Sequence, residues 1–156
     1  MLHPIPDVPE LTLSSPLAGV VLISPFVTME VTSPSFTSNA YNDIFGVSFF
    51  VHLRDLVKPT IPDTYVHYVE PVKAPADWFK GIDKLVSRFF ITSGDNEVLR
   101  DDIKKFSDDL IAVHGNATLT NIPIGTHNEP YGTLVAGEPA VGEWPTKIAD
   151  WIAAAK

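Results

Sequence analysis

Cysteine is absent from the 156 residues, which excludes disulfides, a thiol nucleophile and metal sites built on thiolates. Long apolar runs are absent too, since the longest have about six residues where a membrane-spanning helix needs roughly 20. The first residues, Met1–Pro6, lack the charged start and apolar core of a signal peptide. Any targeting signal would therefore lie upstream of Met1.

Positive charge is scarce as well. The chain has 11 Lys and Arg against 19 Asp and Glu, a net charge of −8, and offers no basic stripe that could neutralise phosphates. The hydrophobic fraction of 45% is typical of a folded domain with a core of its own. The composition predicts one globular domain and disfavours a nucleic-acid partner.

Two sequence motifs of serine catalysis are missing. There is no G-x-S-x-G that would place a serine on a strained strand-to-helix elbow, and no His-Gly-Gly stretch that would supply an oxyanion hole. Ser24 precedes a proline and has no flanking glycines, Ser48 has a glycine on one side only, and Ser93 lies in an acidic segment. We therefore predict no nucleophilic serine within these residues.

Three short segments have the composition of β-strands. The run from Leu17 to Ile23 is continuous, apolar and ended by Ser-Pro, and residues 88–92 form a second apolar run. Such runs are typical of parallel strands covered on both faces. Residues 117–122 are less apolar and are predicted to lie nearer a sheet edge.

Two helical patterns follow the second strand. Apolar residues from Leu99 to Val113 recur with spacings of 4, 3, 4 and 3, which predicts an amphipathic helix that Gly115 would end. A final helix is predicted from Trp144, Ile148, Trp151 and Ala155, with Pro145 in its first turn. Strand, long excursion, strand, helix, strand and helix indicate an α/β fold with about three parallel strands and flanking helices.

The single domain divides into segments by composition. Residues 1–16 are rich in proline and predict an extended lead-in. Residues 26–86 are irregular and polar, and we interpret them as a lid-like insertion, with a helix over 43–56 that has Asp43 near its start and a short helical turn over 76–82. Residues 87–156 are expected to bear the residues that carry chemistry.

Those residues are an acid and a histidine at the ends of two strands. Glu97 follows the second strand and His127 the third, and the carboxyl ends of parallel strands meet at one edge of a sheet. A carboxylate there can orient the imidazole and stabilise its protonated form. Asp95 is the rival acid, but it could equally be the N-cap of the following helix. Glu97 could also have only a structural role, as an acid in the first turn that the helix dipole stabilises.

Residues 94–102 (GDNEVLRDD) and 125–130 (GTHNEP), together with 17–25 (LAGVVLISP) and 74–81 (APADWFKG), resemble the α/β-hydrolase fold-3 family of hormone-sensitive-lipase-like carboxylesterases. Within that family the chain is most similar to the fungal steryl-acetyl-hydrolase type. The resemblance covers nearly the whole chain but only the last three strands of the family's fold, that is, its carboxy-terminal half.

The resemblance implies that Glu97 is the acid and His127 the base of a catalytic triad. The serine and the oxyanion loop would then lie upstream of Met1. It also implies a carboxylic ester hydrolase for small apolar acyl esters in a full-length form, with no cofactor. The alternative is a truncated, non-catalytic remnant or a partner-dependent domain, which would associate with itself through the exposed edge of the first strand.

Other polar and aromatic residues have simpler interpretations. Asp101 and Asp102 are expected to face solvent or to support the first turn of their helix. No metal site is expected, because the remaining histidines lack companions at ligand spacing. The three tryptophans are expected to pack in the core or the insertion. These are Trp78, Trp144 and Trp151, and the histidines are His3, His52, His67 and His114.

Overall fold

Three parallel strands in the order β1-β2-β3 form the centre of the structure, a computed structural model that describes residues 2–10, 12–137 and 144–154. This confirms the predicted α/β class. Among the described residues, no helix is both long and apolar enough to cross a bilayer. The strands and α-helices are β1 (Val20–Ile23), α1 (Ser35–Ser38), α2 (Val47–Val57), α3 (Val66–Val69), β2 (Phe89–Gly94), α4 (Arg100–Ile111), β3 (Ala117–Ile122), α5 (Glu129–Val135) and α6 (Trp144–Ala153).

Strand β2 is the buried centre of the sheet. All six of its residues are buried, and Phe89 is in register with Val20 of β1 on one side and Ala117 of β3 on the other. Strand β3 lies at one edge, as its less apolar composition predicts. Strand β1 is only partly buried, so the cover that its apolar run predicts on both faces is incomplete among the described residues.

Strand β1 also has one unpaired edge. The Val20 N–H donates to the Arg88 carbonyl and the Ser24 N–H to the Thr92 carbonyl, at 3.0 and 3.1 Å. Alternate residues of a parallel strand bond to the same neighbour, so the N–H groups of Val21 and Ile23 point away from β2. No strand among the described residues pairs with that side.

Helix α4 packs its predicted apolar face into the core. Leu99, just before its first turn, and Ile103, Phe106 and Leu110 are all buried. The helix ends earlier than expected, however, because Ala112 is its C-cap and Gly115 lies in the turn before β3 without a left-handed φ. The prediction that Gly115 ends the helix is therefore wrong.

The insertion is less helical at two places than the sequence suggests. Helix α2 begins at Val47 after an extended Gly46, four residues beyond the predicted start at Asp43. Residues 76–81 form turns rather than the predicted helical turn, and a 3₁₀ helix follows at Ile82–Lys84. The left-handed φ of +92° at Gly81 interrupts any regular helix there.

Helix α6 covers the face of the sheet opposite α4. Trp151 lies over Phe90 at 5.7 Å between ring centroids and under the Arg88 guanidinium at 3.9 Å. Its ring also approaches Gly19 so closely that a Cβ there would be 2.6 Å away. Ala155, predicted to belong to this helix, lies outside the described residues. Helix α5, which begins two residues after His127 at Glu129, is an element that the sequence pattern did not predict.

The proline-rich lead-in packs against the insertion. The Tyr65 hydroxyl donates to the Pro6 carbonyl and the Tyr68 hydroxyl to the Pro4 carbonyl. His3 stacks on Trp78 with 3.7 Å between the ring centroids. The described part of residues 2–16 contains no helix or strand, because four prolines restrict the backbone and remove donors.

Candidate active site

The carboxyl ends of all three strands meet at one site. Ser24 directly follows β1, Glu97 lies in the loop after β2, and His127 lies in the loop after β3. All three side chains are buried, with Glu97 fully so and His127 at 9% exposure. The sheet topology therefore places the predicted acid and base side by side. Ser24, which is not predicted to be a nucleophile, lies beside them.

The Glu97 carboxylate is held by three donors. Its Oε1 accepts from the Ser24 hydroxyl and from the Gly94 N–H, both at 2.6 Å. Its Oε2 lies 3.2 Å from His127 Nδ1. Donors on both oxygens offset the cost of burying this group in the ionised form.

The imidazole of His127 is oriented by that carboxylate. A carboxylate only accepts, so the proton of a neutral ring lies on Nδ1 and Nε2 keeps its lone pair. The Asn128 side-chain amide lies 2.9 Å from Nε2. The rings of Phe45 and Phe50 lie edge-on at 5.6 and 6.3 Å from the imidazole centroid and cover it with apolar surface. An imidazole held in this way can accept a proton at Nε2 and return it.

Asp95, the rival acid, lies elsewhere. Its Oδ1 accepts from Asn121 Nδ2 at 3.0 Å, and its side chain does not cap helix α4, whose N-cap is Leu99 without a side-chain bond. Of the two acids left open by the sequence, the one placed against His127 is Glu97. The Asp95 side chain instead links the loop after β2 to Asn121 in β3.

Two residues of the insertion hold the acid and base loops in place. The Asp43 carboxylate accepts from the backbone N–H of Val98 and of His127, each at 2.9 Å. Asn39 Nδ2 donates to the Asp95 and Glu97 carbonyls at 2.9 and 2.8 Å. Sequence reasoning missed both roles, since each is one polar residue in a polar stretch and no spacing marks it.

Ser24 contacts Glu97 at the end of β1. Its hydroxyl donates to Glu97 Oε1, and its backbone has a left-handed φ of +45°, which is uncommon outside glycine. The only feature of the sequence that could have marked Ser24 as part of the site is its position at the end of a strand. Ser93 is fully buried within β2, where no substrate reaches it.

The two loops approach each other at paired glycines. A Cβ on Gly94 would lie 2.3 Å from the Gly125 carbonyl oxygen, so only glycine fits where β2 gives way to the acid loop. The Asn96 N–H also donates to the Gly125 carbonyl at 2.9 Å. The separation between Glu97 and His127 thus depends on direct backbone contact.

Asp101 and Asp102 fasten the insertion to helix α4. The Asp101 carboxylate accepts from the Ser35 N–H at 2.9 Å and that of Asp102 from the Ser33 hydroxyl at 2.8 Å. The expectation that both only face solvent or support their own helix is incomplete. Burial raises the pKa of Asp102, and Asp101 raises it further, whereas the hydrogen bond from Ser33 opposes the shift.

A separate apolar cavity lies at the opposite end of the sheet. It has a volume of about 380 Å³ and is lined by residues of the lead-in and of the segment before β2, including Leu17, Trp78 and Val86. Neither Glu97 nor His127 lines it. The described residues contain no cluster of three or more side chains suited to a metal ion.

A parallel sheet with an acid and a histidine at the carboxyl ends of neighbouring strands is typical of part of an α/β-hydrolase fold. Solved structures support this class. The structure matches a hormone-sensitive lipase from a metagenome library with a TM-score of 0.71 and 24% identity, covering 90% of this chain and 46% of that one. It matches an esterase of the bacterial hormone-sensitive lipase family with a TM-score of 0.61 and 24% identity, covering 76% and 37%.

A thermostable esterase from Pseudomonas putida matches with a TM-score of 0.60 and 19% identity, over 74% of this chain and 35% of that one. The chain therefore spans less than half the length of these structures. No protein-family model matches the sequence, and no curated protein matches it. The fold is that of a partial α/β-hydrolase domain.

Proposed function

We propose that this chain supplies the acid and base of a carboxylic ester hydrolase, with Glu97 orienting His127 as general base and then general acid. The observation that carries the proposal is the buried contact between Glu97 Oε2 and His127 Nδ1 at 3.2 Å. The esterases among the similar structures support the same kind of chemistry. The nucleophilic serine and the oxyanion donors would come from a segment other than the 156 residues.

In the proposed reaction a serine hydroxyl gives its proton to His127 Nε2 as its oxygen attacks the ester carbonyl. His127 then returns the proton to the departing alcohol, and water repeats the cycle on the acyl-enzyme. Glu97 keeps Nδ1 protonated and stabilises the imidazolium. No cofactor takes part, and the apolar rings of Phe45 and Phe50 suit a small apolar acyl ester. The likeness to the fungal steryl-acetyl-hydrolase type favours the same substrate class.

Hydrolysis by the native polypeptide tests this proposal. An antibody to residues 97–109 would capture it from its source, and p-nitrophenyl acetate would report ester cleavage. Loss of general acid-base catalysis lowers rates by about 10²- to 10⁴-fold, so we expect such losses in polypeptides carrying E97A or H127A. H52A, which changes an exposed histidine on α2, is the matched control and should retain activity. Absence of hydrolysis in the unchanged polypeptide would refute the proposal.

The unpaired edge of β1 favours a second candidate, a non-catalytic domain that depends on a partner. The outward N–H groups of Val21 and Ile23 can accept another strand, and apolar strands with open edges associate readily. Without a partner, the chain would associate with copies of itself through this edge. The mass of the 156-residue chain in solution distinguishes a monomer from such an assembly.

A further inference from the structure

Four residues at the candidate active site are joined in a ring of hydrogen bonds, in which Asn128 takes part with both its side chain and its backbone N–H. Glu97 Oε2 contacts His127 Nδ1 at 3.2 Å, and His127 Nε2 contacts Asn128 Nδ2 at 2.9 Å. The Asn128 N–H donates to Ser24 Oγ at 3.2 Å, and that hydroxyl donates to Glu97 Oε1 at 2.6 Å. Neighbouring hydrogen bonds of this kind polarise and support one another.

The directions of these bonds are consistent around the ring. The Glu97 carboxylate can only accept, so a neutral imidazole that faces it carries its proton on Nδ1. The lone pair then lies on Nε2, and a group that hydrogen-bonds to Nε2 must be a donor. The Asn128 amide supplies that donor with its Nδ2. The Asn128 backbone N–H points in the other direction, to Ser24, so a single residue contacts both the base and the support of the acid.

The backbone is shaped for these contacts. Asn128 has a φ of +55° and Ser24 a φ of +45°, two of the four non-glycine residues with positive φ in the described chain. Asparagine tolerates this left-handed conformation better than most residues. Its use there brings both the side-chain amide and the backbone N–H toward the site.

We propose that Asn128 is a positioning residue for His127: in the 156-residue chain its amide donates to Nε2, supports the tautomer protonated at Nδ1, and holds the place on Nε2 that the serine hydroxyl of the proposed reaction takes over. The proposal rests on the proposed function in that it treats Nε2 as the base nitrogen. It assigns a role to a residue that neither the sequence motif nor the acid-base pair requires.

The tautomer of His127 tests the proposal through ¹⁵N NMR of the imidazole in the 156-residue chain. In the unchanged protein we expect a proton on Nδ1 and none on Nε2. N128G tolerates the left-handed backbone and removes the donor to Nε2. In N128G we therefore expect a larger share of the tautomer that carries its proton on Nε2. An unchanged tautomer in N128G would overturn the proposal.

Carbethoxylation by diethylpyrocarbonate, which attacks the lone pair of a neutral imidazole, gives a second readout. N128G retains the backbone conformation and removes the donor to Nε2, so His127 should react about fivefold faster, the factor that a hydrogen bond of ordinary strength represents. Exposed His52 in the same chain provides the reference rate, which should not change. An unchanged His127 rate in N128G would contradict the proposal. Neither readout involves an ester, so failure of Asn128 as a positioning residue is distinguishable from failure of the hydrolase function.

Discussion

At the residue scale, the site is built by polar groups that lie far apart in sequence. Ser24 bonds to a carboxylate 73 positions away, and Asp43 to an N–H 84 positions away. Glu97 and His127 could be singled out from the sequence because each lies in a short motif after a strand. Ser24, Asn39 and Asp43 could not, because only the folded chain brings them to the strand ends.

Asp43 offers a direct test of how the two loops are held. Asparagine has one acceptor and one donor end, so D43N leaves either the Val98 or the His127 N–H without an acceptor. An unsatisfied buried group costs about 1–3 kcal/mol. We expect D43N to lower the free energy of unfolding by about that amount and to speed hydrogen exchange at the Val98 and His127 amides.

D55N is the matched control, since Asp55 is exposed and pairs with the neighbouring Arg54. Its unfolding free energy and the exchange of the two loop amides should not change. Equal exchange at Val98 and His127 in D43N and D55N would show that Asp43 does not hold the loops.

At the element scale, an ion-pair cluster joins the start of the insertion to the end of α2. Glu30 Oε1 contacts Lys58 Nζ at 2.5 Å and Lys73 Nζ at 2.7 Å, and Lys73 also contacts buried Glu70. Hydrogen bonds from Lys58 and Lys73 lower the pKa of Glu30 to about 2. Burial opposes ionisation of Glu70, but its bonds with Lys73 and the Met29 N–H outweigh it and leave that pKa lowered too.

The sign of the pH dependence follows from the lowered pKa of Glu30. The contacts of ionised Glu30 with its two lysines stabilise the fold at pH values above 4.5, the ordinary pKa of a glutamate. This contribution is lost as the pH falls toward the lowered pKa of about 2. Because Glu30 is about one-third exposed, the contribution at neutral pH is at most about 1 kcal/mol. E30Q should therefore be less stable than the unchanged chain at pH 7 and equal to it near pH 2, as measured by urea unfolding. A stability difference that does not vary with pH would contradict this account.

The strands and the apolar face of α4 are the elements most predictable from sequence, because burial selects continuous apolar runs in the inner strands and a helical period of apolar residues in α4. The bounds of β3 match the prediction, at residues 117–122. The start of α2 and the turns at 76–81 were missed, since Asp43 is drawn into tertiary bonds and Gly81 adopts a left-handed φ. Neither the tertiary hydrogen bonds of Asp43 nor the backbone conformation of Gly81 can be predicted from the local sequence pattern.

At the scale of the whole molecule, the open edge of β1 is the feature that we expect to govern self-association. The chain spans 35–46% of the structures described above, and no strand among the described residues pairs with the outer side of β1. The resemblance, which covers only the last strands of the fold, predicted an exposed first strand. In the structure β1 is partly buried.

Proline substitution tests whether this edge drives self-association. V21P removes an outward N–H and leaves the bond from Val20 to β2, whereas V20P breaks that bond. We expect the 156-residue chain to self-associate, V21P to shift it toward monomer with its cooperative unfolding retained, and V20P to lose stability. Sedimentation and urea unfolding report both properties. A soluble monomer with a cooperative transition for the unchanged chain would contradict the expectation.

We propose that Glu97 and His127 serve a serine delivered from outside these residues. The decisive experiment is labelling of the native polypeptide with a fluorophosphonate probe, read on a gel together with its mass. We expect a labelled band near twice 17.1 kDa, with no label on the isolated 156-residue chain. An unlabelled native band at 17.1 kDa, or a label on one of the serines within the isolated chain, would contradict it.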